Sequence, residues 1–151
     1  MYKTILVPLD GSKRAERILR HVEALAQGFE ARVIFLQVVE LPPDPPLGTV
    51  GPSVYVTEYQ EEFEKRTKRA QSYLAGLEGE FQEKRIEAES RTTYGSVVQA
   101  IIDAAEREGA DLIAMASHGR GGLSQVFYGS VAAGVLHRVD RPLLIIRARD
   151  D

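Results

Sequence analysis

Cysteine is absent from the 151 residues, and tryptophan with it. Without a thiol there is no disulfide scaffold, no thiolate metal site and no thiol nucleophile. Aromatic residues are sparse at 7%, and neither sign of charge dominates: 19 Lys and Arg against 22 Asp and Glu leave a net −3. With no basic excess, the composition gives no footing for nucleic acid or an anionic membrane surface. No apolar run approaches the ~18 residues of a membrane span. Residues 1–10 turn acidic, at Asp10, too early for a signal peptide. What remains is a 16.7 kDa chain, 44% hydrophobic, of a size that folds without covalent staples. The expectation is one soluble, cytoplasmic domain over 1–151.

Five short apolar runs alternate with helical patterns. Ile5, Leu6 and Val7 read as a buried strand from Thr4, stopped by Pro8 and the Asp10-Gly11 turn signal. From Ser12, apolar residues recur at three- and four-residue steps (Ala15, Ile18, Leu19, Val22, Leu25, Ala26), which predicts a helix stopping at Gly28. Residues 32–39 form a second strand. The stretch 40–56 holds Pro42, Pro43, Pro45, Pro46 and Pro52, and reads as an exposed loop. A helix is expected over 57–84, with Tyr59, Phe63, Ala70, Tyr73, Leu74, Leu77 and Phe81 near one stripe. The Glu61-Glu62 and Lys65-Arg66 cluster reads as its solvated face. Residues 86–93 alternate only weakly as a third strand. Ser96 with Gln99 suggests a capping box opening a helix that Gly109 ends. Strands at 111–117 and 141–147 flank a glycine-rich stretch and a helix over about 130–138. Such β-α alternation specifies a parallel sheet with helices on both faces, whose ligands bind at the carboxyl ends of strands where the strand order reverses.

Two segments compete for that place: residues 8–12 after the first strand, and 116–130 after the fourth. The latter contains Ser117-His118-Gly119-Arg120-Gly121-Gly122 and, later, Gly129-Ser130-Val131. It is not a phosphate loop of the glycine-lysine-serine type, since no such triplet exists in the chain. Nor is it the dinucleotide fingerprint, which follows the first strand; here position 124 is Ser. Its glycine amides could still approach a phosphate closely, and Gly129-Ser130 opens a helix whose N-terminus favours an anion. The competing reading is a turn followed by an ordinary serine cap, because Gly95-Ser96-Val97 opens another helix with no phosphate motif.

The spacing of Ser117-His118-Gly119, nine residues, then Gly129-Ser130 resembles the nucleotide-binding signature of the universal stress protein family, G-x-x-G, nine residues, G-S/T. The opening Ile-Leu-Val-Pro-Leu-Asp-Gly-Ser, the Asp-Leu-Ile-Ala-Met strand and the closing Arg-Pro-Leu-Leu-Ile-Ile strand extend the likeness over essentially the whole chain. The resemblance implies a five-stranded parallel sheet in order 3-2-1-4-5, akin to the adenine nucleotide alpha hydrolases, a homodimer, and in one branch bound ATP (or ADP or AMP), with or without Mg. By position, Pro8, Leu9 and Asp10 would lie beside adenine and ribose, and Val38 against the adenine. Ala116, Ser117, His118, Gly119, Arg120, Gly121 and Gly122 would wrap ribose and phosphates, and Gly129, Ser130 and Val131 would hold the phosphate tail. One departure stands out: Ala116 occupies the first glycine of the motif. Alanine costs ~1 kcal/mol if that position needs positive φ, and nothing if it only ends a strand.

Asp10 reads either as an acceptor for adenine or ribose or as a cap for the turn amides. His118 and Arg120 read as phosphate neighbours or as solvated loop residues, while His21 and His137 have no ligand spacing. The function that follows is nucleotide-binding regulation in a stress response without efficient catalysis, slow hydrolysis or autophosphorylation on Ser130 staying open. The alternative is a dimeric interaction protein that binds no nucleotide. A phospho-acceptor receiver domain fails, because strand three ends in Thr92-Thr93 and no lysine follows Lys84. A flavodoxin fails on Asp10-Gly11-Ser12-Lys13-Arg14, a poor flavin phosphate loop. Dimerisation is expected through 142–146 (Pro142, Leu144 and Ile146 included), an apolar strand that the implied order leaves at a sheet edge.

Overall fold

The computed structural model describes residues 1–44, 47–48, 51–118 and 129–148, with only the backbone of His118. In chain order the elements are β1 (Thr4–Leu9), α1 (Leu19–Phe29), β2 (Arg32–Val39), α2 (Pro52–Glu83), β3 (Ala88–Tyr94), α3 (Val97–Arg107), β4 (Leu112–His118), α4 (Ser130–Arg138) and β5 (Leu143–Ala148). The strands pair in parallel in the order β3-β2-β1-β4-β5.

Alternation along each strand builds the two layers. Ile5, Val7, Leu9, Val33 and Phe35 face α1 and α2, meeting Val22, Leu74 and Phe81 there. Leu6, Ile34, Leu36, Ile113 and Met115 face α3 and α4, meeting Ile101, Ala104 and Val135. Phe35 and Phe81 lock β2 to α2 edge-to-face, 5.0 Å between centroids at 86°. Burying a ring such as Phe35 fully is worth about 3 kcal/mol. The central seam is closed by Asp111, whose carboxylate accepts the Lys3 amide (2.9 Å) and the Thr4 amide (3.2 Å).

Several expected boundaries shift for identifiable reasons. β1 runs through Pro8 to Leu9 rather than stopping before it. On the β4 side its registered pairing ends at Leu6, so the proline falls where one neighbour has already departed. A short 3₁₀ helix (Ala15–Ile18) precedes α1, with the Ser12 Oγ accepting the Ala15 amide at 3.1 Å. α1 passes through Gly28, and Glu30 supplies the left-handed cap itself at φ 55°. α2 begins at Pro52, inside the stretch read as loop, because proline at the first helical position gives up no needed donor. β3 starts two residues later than expected, at Ala88. The capping box of Ser96 and Gln99 does not form: Gln99 donates to Asp103 Oδ1 (2.7 Å) and accepts from Arg138. Among the described residues no helix is long and apolar enough to cross a membrane.

Candidate functional site

β1 and β4 are registered at Ile5–Leu112 and Leu6–Ile113, and beyond those pairs they separate. This is the point where the strand order reverses, and a cavity of about 270 Å³ opens there. Leu36, Val38 and Met115 give it an apolar floor, while Val97 and Ile101 of α3 close one side. An apolar wall of that kind suits the apolar part of a ligand.

The expected site residues Pro8, Leu9 and Asp10 line the cavity from the end of β1, and Val38 does so from β2. Ala116 and Ser117 reach it from β4, and Gly129, Ser130 and Val131 from the start of α4. Gly119, Arg120, Gly121, Gly122 and the His118 side chain lie outside the described residues.

The opposite rim is a helix N-terminus. The first intrahelical bond of α4 is donated by the Ala133 amide to the Gly129 carbonyl (3.0 Å), so the amides of Ser130, Val131 and Ala132 precede it, and all three residues line the cavity. Such an end favours an anion. Gly129 holds φ 78° and ψ 158°, a conformation essentially reserved for glycine. The second Gly-Ser-Val triplet opens α3, and its Val97 lines the same cavity, so the two helix starts converge.

Asp10 does turn work as well as facing the cavity. Its Oδ1 accepts the Ser12 amide (2.9 Å) and hydroxyl (2.5 Å), and its Oδ2 accepts Arg14 Nη2 (3.0 Å). Burial by itself raises the Asp10 pKa, but the Ser12 hydrogen bonds and the Arg14 guanidinium outweigh it and hold the carboxyl below its ordinary value. Ser117 is buried and its hydroxyl donates to the Ile146 carbonyl of β5 at 3.3 Å, which ties strands together. Ala116 sits inside β4, opposite Ile146, and outside the positive-φ residues. Alanine in place of the motif glycine therefore carries no backbone strain.

Arg14 and Glu40 also line the cavity, and sequence reasoning missed both. Arg14 is masked by its place in the turn before a 3₁₀ helix, where no heptad or strand period marks direction. Its chain spacing to Asp10, four residues, was the available signal. Among the described residues no group of three or more His, Cys, Asp or Glu gathers to hold a metal.

The universal stress protein family matches the chain over residues 1–147. Universal stress protein MJ0577 of Methanocaldococcus jannaschii is 30% identical over 158 residues, covering 99% of this chain and 98% of that protein. A solved structure of MJ0577 superposes with a TM-score of 0.79 at 28% identity, covering 100% of this chain and 99% of that one. Two more distant structures share the fold, each with a TM-score of 0.59. One is a universal stress protein in complex with cAMP (22% identity, covering 97% and 98%). The other is the universal stress protein from Archaeoglobus fulgidus in complex with dAMP (20%, covering 96% and 98%).

Proposed function

The chain belongs to the universal stress protein family, and from that premise we propose that its cavity binds an adenine nucleotide, ATP or its ADP and AMP relatives, as a regulatory ligand. The observation that carries this reading is the pairing of an apolar wall (Leu36, Val38, Met115) with the N-terminal turn of α4 on one cavity. The apolar wall suits the base, Asp10 lines the cavity at the position the resemblance gives the ribose, and Ser130 offers a hydroxyl beside the helix dipole. The cAMP and dAMP held by the two distant relatives support the choice of adenine. For His118, Gly119, Arg120, Gly121 and Gly122 as a wrap around ribose and phosphates, the proposal rests on the resemblance alone.

Among the described residues no group of three or more His, Cys, Asp or Glu gathers, and a magnesium ion arriving with the nucleotide would be held mainly by its phosphates and water. Efficient hydrolysis is not part of the proposal. Asp10, the carboxylate best placed to face the ligand, is held ionised by Ser12 and Arg14 and is a weak base.

Isothermal titration of the wild-type chain with ATP, ADP and AMP tests the reading, and no heat from any of them at millimolar concentration overturns it. Ser130→Glu sharpens the test. An acidic residue in the first turn stabilises a helix by ~0.3–1 kcal/mol, while its charge repels a phosphate. Thermal stability should hold or rise as nucleotide binding is lost.

The same family reading carries a homodimer through β5. Among the described residues β5 pairs with β4 alone, and Leu143, Leu144, Ile145 and Ile146 are only partly buried although they face both core layers. A second β5 would cover that edge.

A further inference from the structure

On the other face of the sheet a second cavity, of about 400 Å³, lies between α2 and the ends of β1 and β2. Asp10, Val38 and Glu40 belong to its wall and to that of the first cavity, so the strand ends form a partition between the two. From this cavity we infer a second small-molecule site, which takes a zwitterion of the α-amino acid class.

Two buried polar atoms without a hydrogen-bond partner among the described residues belong to side chains that line it: Gln37 Oε1 and the Tyr73 hydroxyl. Folded proteins leave few such atoms unpaired, since each costs ~1–3 kcal/mol. Two around one cavity, Gln37 from β2 and Tyr73 from α2, point to a ligand that pairs both. Burial, with Glu16, Asp10 and Glu80 nearby, pushes the Tyr73 pKa up, so the hydroxyl stays protonated and available as a donor. The Gln37 oxygen can only accept.

The charges around these two atoms are divided. α2 brings Arg66 and Arg69. Arg66 spends Nε on Glu62 (3.0 Å) and Nη1 on the Glu40 carbonyl (3.2 Å), leaving Nη2 outside both contacts. Arg69 is exposed and makes no hydrogen bond or ion pair with the described residues, acting on Glu62 only at longer range. Glu40, exposed just past the end of β2, lines the cavity from the strand side. A carboxylate toward Arg66, Arg69 and the Tyr73 hydroxyl, with an ammonium toward Glu40 and Gln37 Oε1, matches each of these groups in charge and in donor–acceptor sense. A nucleotide phosphate does not, because Asp10 and Glu40 would face it. A simple anion also fails, because it brings no donor to Gln37.

The test is to screen the standard L-amino acids, one at a time at millimolar concentration, against the whole chain. Melting-temperature shifts come first, then titration calorimetry. At least one should bind. Arg69→Ala, on an exposed position, should weaken that binding by about tenfold, the loss of one charge-assisted hydrogen bond. Tyr73→Phe should weaken it too, yet leave the free protein as stable as wild type or more so, because it deletes an unpaired hydroxyl. Binding by none of the amino acids, meaning that water alone fills the cavity, overturns the inference. So does binding that both variants leave unchanged, or a Tyr73→Phe protein that melts below wild type.

Discussion

Gly134 sets how closely α4 can approach α3, and its replacement by alanine gives the fold its sharpest test. A Cβ built there would lie 2.7 Å from Val98 Cγ2 and 3.3 Å from Cγ1. Carbon atoms rest at ~3.5–4.0 Å, so the helices must part by about 1 Å or Val98 must rotate, and a β-branched residue in a helix has one strongly preferred rotamer. Overpacking of this kind costs ~1–3 kcal/mol, while glycine to alanine in a helix interior gains ~1 kcal/mol. Gly134→Ala alone should thus range from neutral to about 2 kcal/mol destabilising. In a Val98→Ala background the clash is gone, and the same change should stabilise by about 1 kcal/mol, a coupling of ~1–3 kcal/mol. Urea unfolding of the four proteins in the cycle, compared at a common m-value, reads this directly. Gly134→Ala that stabilises by about 1 kcal/mol in both backgrounds would refute the close approach. The cavity walls Val97 and Ile101 on α3, and Val131 and Ala132 on α4, move with those helices. Parting them should weaken nucleotide binding as well.

Two further outcomes are expected. Because the folded Asp10 pKa lies below the ordinary 3.8, its contribution to stability is fully present above that value and is lost as pH falls through the lowered one. Urea midpoints at neutral pH and below pH 3.8 should therefore diverge more in wild type than in Asp10→Asn. For the free edge, light scattering should give twice 16.7 kDa, about 33 kDa. Leu144→Glu or Ile146→Glu should give monomer or aggregate, and a wild-type protein still monomeric at about tens of micromolar refutes β5 pairing.

The sheet was legible because its strands are dense in β-branched and aliphatic residues buried on both sides, as at Ile5, Leu6 and Val7. β3 was less legible because Arg91, Thr92 and Thr93 are only partly buried at the sheet's other edge. Local rules misled where a neighbour reversed them. Pro8 looked like a stop until β4 was seen to have left its side, and Gln99 looked like a cap until Asp103 and Arg138 claimed it. Of the residues carried by the resemblance, those described from β1, β2, β4 and the start of α4 line one cavity, whereas Arg14 and Glu40 did not announce themselves. The side of the sheet they serve depends on turns that no periodicity encodes. The second cavity was hidden by the same limit: Arg66 read as one charge on a solvated helix face, and only its contact with the Glu40 carbonyl shows it turned toward the sheet.

The pairing of β1 with β4 orders events during synthesis. β1 is made well before its partner, for the Asp111 carboxylate that receives its Lys3 amide is 108 residues further on. β2 and β3, with α1 and α2 over one face, can assemble on β1 while its other edge stays open. Closing so long a loop is entropically slow. Until β4 arrives, that edge is an unpaired apolar strand of the kind chaperones bind. The seam that opens into the first cavity is also the last part of the sheet's centre to close, and a nascent chain has no such pocket until β4 and α4 have been made.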